Sequence, residues 1–343
     1  MKIVYTGGIY TPYFSTALMR MQVLEELGHE THPHCVVSYN DWLGRWGGAI
    51  FRRYLWGPPI HRYNRDLMAL IHKVKPDMLW VDKGRWLFPK TLASIQSMGI
   101  KAVYYTPDAA FYHNQSRWLR GCLPLYDLVV TTKPYEVDLY KQHNVKRLVL
   151  KRPMFDARIH HPMKVSEEDK KRFGCDIVFI GTYTPGRDTY LIPLIEAGFD
   201  VAIWGNGWEN CNNPSLTSCI RGTHISGTDY SKGLICAKIG LGLLNTLIPD
   251  TSTTRTVEIP AVGTFLLAER TQEHLEMFEE NKEAEYFDSV DELLEKARYY
   301  LKHEEEREAI AAAGHKRAMS SGYDVTALLS EILQQTEQLP KAS

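Results

Sequence analysis

The chain has 343 residues, 44% of them hydrophobic and 24% charged; single cores usually stop growing at roughly 250 to 300 residues, so two domains are expected. The 40 Lys plus Arg against 41 Asp plus Glu give no global field for drawing in nucleic acid. Six scattered cysteines form no CxxC pair, which speaks against zinc or dithiol chemistry, and no run of ~18 apolar residues is available to span a bilayer.

The first residues, MKIVYTGGIYTPYF, lack the unbroken apolar run of a signal peptide, so a cytoplasmic location is expected. MKIVYT is a short buried-strand pattern. After the glycine loop, Leu18, Met21, Val23, Leu24 and Leu27 recur at helical spacing, with Ser15 placed as N-cap and Gly28 as stop. Residues 36–60 interrupt the rhythm with Trp, Arg and Gly: either a packing insert or an acceptor- or membrane-facing surface. Then strands alternate with helices: RDLMALIHKV, DMLWVD, PKTLASIQSMG, KAVYYT, a helical stretch near SRWLRGCL, DLVVTT, YEVDLYKQHN and RLVLK. Such alternation argues for a parallel sheet covered on both faces.

From 151 to 172 the chain turns polar and loses periodicity, as an interdomain linker does. The pattern restarts with CDIVFIG, TYLIPLIEAG and DVAIWG, continues through AKIGLGLL, TRTVEIPAVG, TFLLAE and EYFD, and ends in helices over 290–319 and 325–338. The expected division is 1–155, a linker over 156–174, a second domain over 175–320, and a terminal helix over 321–343 packing back towards the first.

Ligands of open parallel sheets sit outside the carboxyl ends of the strands. In the first half that edge carries Gly7, Gly8 and Tyr10, Asp82 and Lys83, and Asp108. In the second half the loop after DIVFI carries Gly181, Thr182, Tyr183 and Arg187, whose amides and guanidinium suit a phosphate or diphosphate; a Pro-Gly turn with an exposed Arg is the alternative. Trp204, Gly205 and Asn206 follow the next strand, and Asp229 with Tyr230 stand at a helix entry. The stretch STTRTVEIPAVG sets Arg255 and Glu258 three apart, on one helix face. Glu258 could accept hydrogen bonds from sugar hydroxyls while Arg255 meets an anion, or the two could form a surface ion pair. The GxGxxG and GxxxxGK[ST] phosphate motifs and the GxSxG elbow are absent, and His160 with His161 has no metal-ligand spacing.

The segments DIVFIGTYTPGRDTYLIPLIEAGFDVAIWGNGW and STTRTVEIPAVGTFLLAERTQEHLEMF, with KPDMLWVDKG and YDLVVTTKPYEVDLYKQHNVK earlier, resemble the CgeB-type, spore-maturation-like glycosyltransferases. The resemblance implies an α/β chain of GT-B type, with two Rossmann-like doubly wound domains facing each other across a cleft, followed by C-terminal helices. It implies a transferase without metal or other cofactor, using a UDP- or GDP-linked sugar as co-substrate. The donor would be held by the C-terminal half and a glycan, lipid-linked or small-molecule acceptor by the N-terminal half. Carried over by position, Gly181, Thr182 and Arg187 lie by the donor phosphates, Tyr230 by the nucleobase, and Glu258 is the ribose- or sugar-binding carboxylate. Tyr183, Trp204, Gly205, Asn206, Ser252 and Thr253 complete the expected donor set.

Group 1 retaining enzymes of this kind carry two glutamates separated by seven residues; here the earlier position is Asp250, which leaves the stereochemical outcome open. Arg187 and Arg255 would stabilise the departing diphosphate, and for inversion Asp108 is the first candidate base, although it could equally cap a turn after Pro107. Gly7, Gly8, Tyr10, Asp82 and Lys83 are expected on the acceptor side. Peripheral membrane contact through the Trp and Arg residues of 42–56, a homodimer, a sugar-nucleotide epimerase or phosphorylase on the same architecture, and an inactive sugar- or nucleotide-binding module all stay open; no lysine site for a phosphorylase cofactor is recognisable.

Overall fold

The computed structural model describes residues 1–10, 15–43, 55, 57–112, 115–211 and 213–339. Twelve strands stand among them: β1 Lys2–Gly7, β2 Glu30–Cys35, β3 Met78–Asp82, β4 Lys101–Thr106, β5 Leu128–Thr131, β6 Leu148–Leu150, β7 Cys175–Ile180, β8 Val201–Trp204, β9 Ile220–Gly222, β10 Ala237–Gly242, β11 Phe265–Glu269 and β12 Glu285–Phe287. They form two six-stranded sheets, ordered β2-β1-β3-β4-β5-β6 and β12-β11-β10-β7-β8-β9, and every pairing is parallel.

The chain divides into two compact units, one of residues Met1–Arg152 with Thr326–Ser343, the other Pro153–Val325. In the first, β1, β3, β4 and β5 read as nearly continuous apolar runs because helices cover both faces of the sheet. The covering helices include Thr16–Glu26, opened by Ser15, whose hydroxyl accepts from Leu18 N at 3.2 Å, and Pro58–Val74, opened by proline at its first position. The helix Val325–Glu337 ends on Lys101, whose ammonium donates to the carbonyls of Thr336 at 2.8 Å and Glu337 at 3.1 Å. A cation there satisfies carbonyls that the helix leaves unpaired.

In the second unit the buried faces of β7, β8, β10 and β11 build two apolar clusters, one around Val178, Trp204 and Leu266, the other around Ile177, Ile203 and Leu267. Residues 156–174, expected as a linker, are counted with this unit, which begins at Pro153. Ser166 and Asp169 form a reciprocal cap at the start of the helix Glu167–Phe173, Phe173 is buried, and Phe155 bridges to Asp324. Two strands were not legible in the sequence. β2 is an edge strand of sequence ETHPHC, where Pro33 supplies no ladder donor and Glu30, Thr31 and His32 are exposed or half-buried; β9 is a three-residue edge strand. The long terminal helical pattern is broken at His303 into Val290–Lys302 and Glu304–Ser320. No described helix is long and apolar enough to cross a membrane. The core of the Trp- and Arg-rich insert, residues 44–54 and 56, lies outside the described residues.

Candidate active site

In the second sheet β7 is followed by β8 on one side and flanked by β10 on the other, so the strand order reverses between β7 and β10. Such a switch point opens a crevice at the carboxyl ends of the strands. Two arginines close over it. Arg255, first residue of the helix Arg255–Ala261, donates to Ile180 O at 3.2 Å and to Leu243 O at 2.8 Å. Arg187 donates to Leu244 O at 3.0 Å, to Leu243 O at 3.5 Å and to Thr182 O. Both guanidinium carbons lie 5.2 Å from the centre of the Phe179 ring.

Neither arginine forms an ion pair among the described residues, so two like charges stand together at one strand edge. Burial, and then the neighbouring Arg255 charge, pull the Arg187 pKa down to about 9, which leaves it a cation at neutral pH. Arg187 is only 5% exposed. Arg187, expected by the donor phosphates, is therefore not an exposed turn residue: its guanidinium straps the ends of β7 and β10 through backbone carbonyls. Arg255 is half-buried, and its Nε has no partner.

Glu258 stands one turn after Arg255 but does not pair with it. It accepts the Tyr230 hydroxyl at 2.6 Å through Oε2. Burial first, and the Glu258 charge second, push the Tyr230 pKa well up, so the phenol stays a donor. The His160 ring meets Tyr230 edge-on at 5.4 Å. Asp229 forms an ion pair with Arg172 at 3.0 Å. Asp250 lies in the loop before this helix, where its charge and that of Glu269 favour the charged form of Arg187. Ser252 is buried, and the Thr253 hydroxyl is buried without a hydrogen-bond partner.

The glycines of this edge have steric reasons. Gly205 has φ +144°, and a Cβ there would come 2.1 Å from Gly181 O. Gly181 N donates to Trp204 O at 2.8 Å, and Gly181 O accepts Trp208 Nε1 at 2.9 Å. Tyr183 N donates to Asn206 O at 2.8 Å, with its ring edge-on to Trp208 at 5.1 Å. Thr182 and Asn206 are exposed beside them. Trp204, expected by a ligand, is instead 6% exposed and packs on Phe173; its place at the last position of β8 turns it into the core.

The first sheet has its own switch point, between β1 and β3. A cavity of about 560 Å³ opens there, lined by Gly7, Gly8, Asp82, Lys83, Arg85 and Trp86 among others. Asp82, expected on the acceptor side, is not a free carboxylate. Its Oδ2 accepts Arg20 Nη2 at 2.6 Å, Arg20 Nε at 2.9 Å and the Tyr5 hydroxyl at 2.8 Å. Arg20, 1% exposed, lies over the Tyr105 ring at 4.8 Å. The sequence signal for it is an arginine on the helix face shared with Ala17 and Leu24. A Cβ on Gly7 would come 2.8 Å from Asp82 Cβ. Lys83, held at φ +64°, pairs with Asp108 at 2.5 Å. Beyond Asp108, the buried Glu136 carboxylate accepts the amides of Ala110 at 2.9 Å and Phe111 at 2.7 Å, fixing the loop; burial raises its pKa. Tyr10 is 53% exposed. Among the described residues no three His, Cys, Asp or Glu side chains are grouped as metal ligands.

A family model described as glycosyl transferase-like matches residues 187–334, which include both arginines, Tyr230 and Glu258. The fold is of GT-B type, as solved structures show. HepE from Anabaena in complex with UDP-glucose superposes with a TM-score of 0.69 at 13% identity, over 99% of this chain and 100% of that chain. Sucrose-phosphate synthase from Thermosynechococcus elongatus gives 0.67 at 10% identity, over 97% and 98%. UDP-GlcNAc 2-epimerase from Neisseria meningitidis bound to UDP-GlcNAc gives 0.59 at 11%, over 98% and 99%. No curated protein matches the sequence significantly.

Proposed function

We propose that the protein is a CgeB-type hexosyltransferase that takes a sugar from a UDP- or GDP-linked donor and needs no metal ion. The observation that carries this reading is the pair of guanidiniums at the β7/β10 switch point, without carboxylate partners and with Glu258 one helical turn away. Two fixed cations at the carboxyl edge of a parallel sheet suit a diphosphate, and the Glu258 carboxylate suits sugar or ribose hydroxyls. The match of this segment to the glycosyl transferase-like model, and the UDP-glucose bound by HepE, agree with that assignment.

In the reaction an acceptor hydroxyl oxygen bonds to the anomeric carbon while the bond from that carbon to the diphosphate oxygen breaks. The nucleoside diphosphate leaves with the electron pair, and the field of Arg187 and Arg255 stabilises the charge it gains. If configuration inverts, Asp108 takes the hydroxyl proton. Lys83 pairs with this carboxylate at 2.5 Å in the resting protein.

Thermal shift against UDP-, GDP-, ADP-, TDP- and CMP-linked sugars, with and without EDTA, tests the reading, because a ligand of the folded form raises its apparent stability. The expected result is one nucleotide class that shifts the transition regardless of EDTA and does so less in Glu258→Gln. No shift with any donor overturns it. The epimerase neighbour keeps one second reading in view: conversion of the bound UDP-sugar to its epimer with no acceptor present would replace transfer by epimerisation.

A further inference from the structure

The first unit holds a cation that its own fold does not use. Arg85 lines the cavity at the β1/β3 switch point. Its backbone carbonyl accepts the Ser116 hydroxyl at 2.6 Å, so its main chain is fixed, yet its guanidinium has no hydrogen-bond or ion-pair partner among the described residues, and its Nε is buried without one. Burial lowers its pKa, with only the Asp108 charge opposing. A half-buried guanidinium left unpaired is costly unless something anionic completes it. The other charges around it are already matched: buried Asp82 by Arg20, and the partly exposed Asp108 by Lys83. A second cavity, of about 420 Å³, shares Leu55 and the neighbourhood of Ser116 and adds Arg117 and Arg120. The described charges lining the two cavities therefore leave a surplus of cations. Asp82, which also lines the cavity, has its Oδ1 buried without a hydrogen-bond partner.

We propose that this cavity is a phosphate site and that the acceptor of the reaction is a phosphate or diphosphate ester, its anion seated on Arg85 with Lys83 alongside. Naming the ligand as the acceptor rests on the transferase reading; the binding of phosphate does not. A planar guanidinium offers paired donors to phosphate oxygens. The chemistry is shared by a soluble sugar phosphate and by a lipid-linked phosphate.

The test is isothermal titration of inorganic pyrophosphate into the full chain, with UDP saturating in cell and syringe to occupy the donor side. Pyrophosphate is expected to bind the wild type, to bind Arg85→Gln about tenfold or more weakly, and to bind Arg85→Lys in between. Thermal melts check that both variants fold. No heat of binding, or equal affinity for wild type and Arg85→Gln, overturns the proposal. If a separate titration of UDP gives no heat, GDP takes its place; if neither binds, the donor assignment fails while the Arg85 result still stands or falls alone. Sedimentation with phosphatidylcholine vesicles containing phosphatidic acid separates the sources: Arg85-dependent pelleting supports a lipid phosphate, and pyrophosphate binding without pelleting supports a soluble ester.

Discussion

The Tyr230 hydroxyl donates to Glu258 Oε2 at 2.6 Å and so joins the helix Thr228–Ile235 to the helix Arg255–Ala261. The bond engages one of the two carboxylate oxygens. Tyr230→Phe keeps the ring packed on His160 and removes only the donor. Donor affinity, read by titration of UDP-glucose, is expected to fall by about tenfold or more, the loss of one hydrogen bond to a charged group. Glu258→Ala should lose more than Tyr230→Phe. Equal affinity in Tyr230→Phe and wild type would take this bond out of donor binding.

Arg187 is first a structural strap. Arg187→Met is close in volume, but it strips partners from the carbonyls of Leu244 and Thr182, while Leu243 O keeps Arg255. Losing them should destabilise the second unit by about 2–4 kcal/mol, read as a lower urea midpoint. Arg255→Met, where the side chain is only half-buried, should cost less stability and more donor affinity. The reverse order would mean that Arg255, not Arg187, holds the strand ends together.

Asp108→Asn keeps the shape of the loop, since the backbone of Asp108 bonds Thr106 Oγ1 and the loop beyond is pinned by Glu136. It removes the proton acceptor. Transfer should fall by about a hundredfold or more with donor affinity unchanged, the usual scale for loss of a general base. Undiminished turnover would leave Asp108 only its ion pair with Lys83.

The sheet class was legible because β1, β3, β4, β7, β8 and β11 are apolar runs bounded by loops, the signature of strands buried on both faces. β2 was not, since an edge strand carrying Thr, His and Pro has no such run. At the candidate site, sequence position placed Arg187, Arg255, Glu258 and Tyr230 at one strand edge. It could not tell which of them spend their hydrogen bonds on the protein, because the carbonyls of Leu243 and Leu244 that engage the arginines are backbone atoms with no signature of their own. The same holds for Asp82: its partner Arg20 is 62 residues away. Arg85 escaped notice for the opposite reason, being recognisable only by the partners it lacks.

Gly205 and Gly198 both have positive φ, +144° and +86°, but only Gly205 has a neighbour, Gly181 O, in the space of a Cβ. Gly198→Ala should cost about 1 kcal/mol from backbone conformation alone. Gly205→Ala adds a clash with backbone and should cost clearly more, with the loop after β7 displaced. Urea unfolding of the two variants compares them directly; equal midpoints would show that the loop yields freely.

His34 ties stability to pH. Its Nδ1 meets the Thr6 hydroxyl at 3.2 Å and its Nε2 the Tyr39 hydroxyl at 3.1 Å, and Tyr39 in turn donates to Asp66 at 3.2 Å. Burial lowers its pKa to about 4, against the opposing Asp66 charge. Below an unfolded-chain pKa of roughly 6.5 the unfolded state takes up a proton that the folded state refuses, so acid favours unfolding. The His34 contribution should be whole above that pH, decline as pH falls towards about 4, and level off below it. At full extent the loss is on the order of 3 kcal/mol. Unfolding free energies of wild type and His34→Gln should therefore converge, in relative terms, as pH falls from neutral to about 4. A constant difference over that window would mean that His34 takes up its proton inside the folded protein, with the Tyr39–Asp66 chain rearranged to receive it.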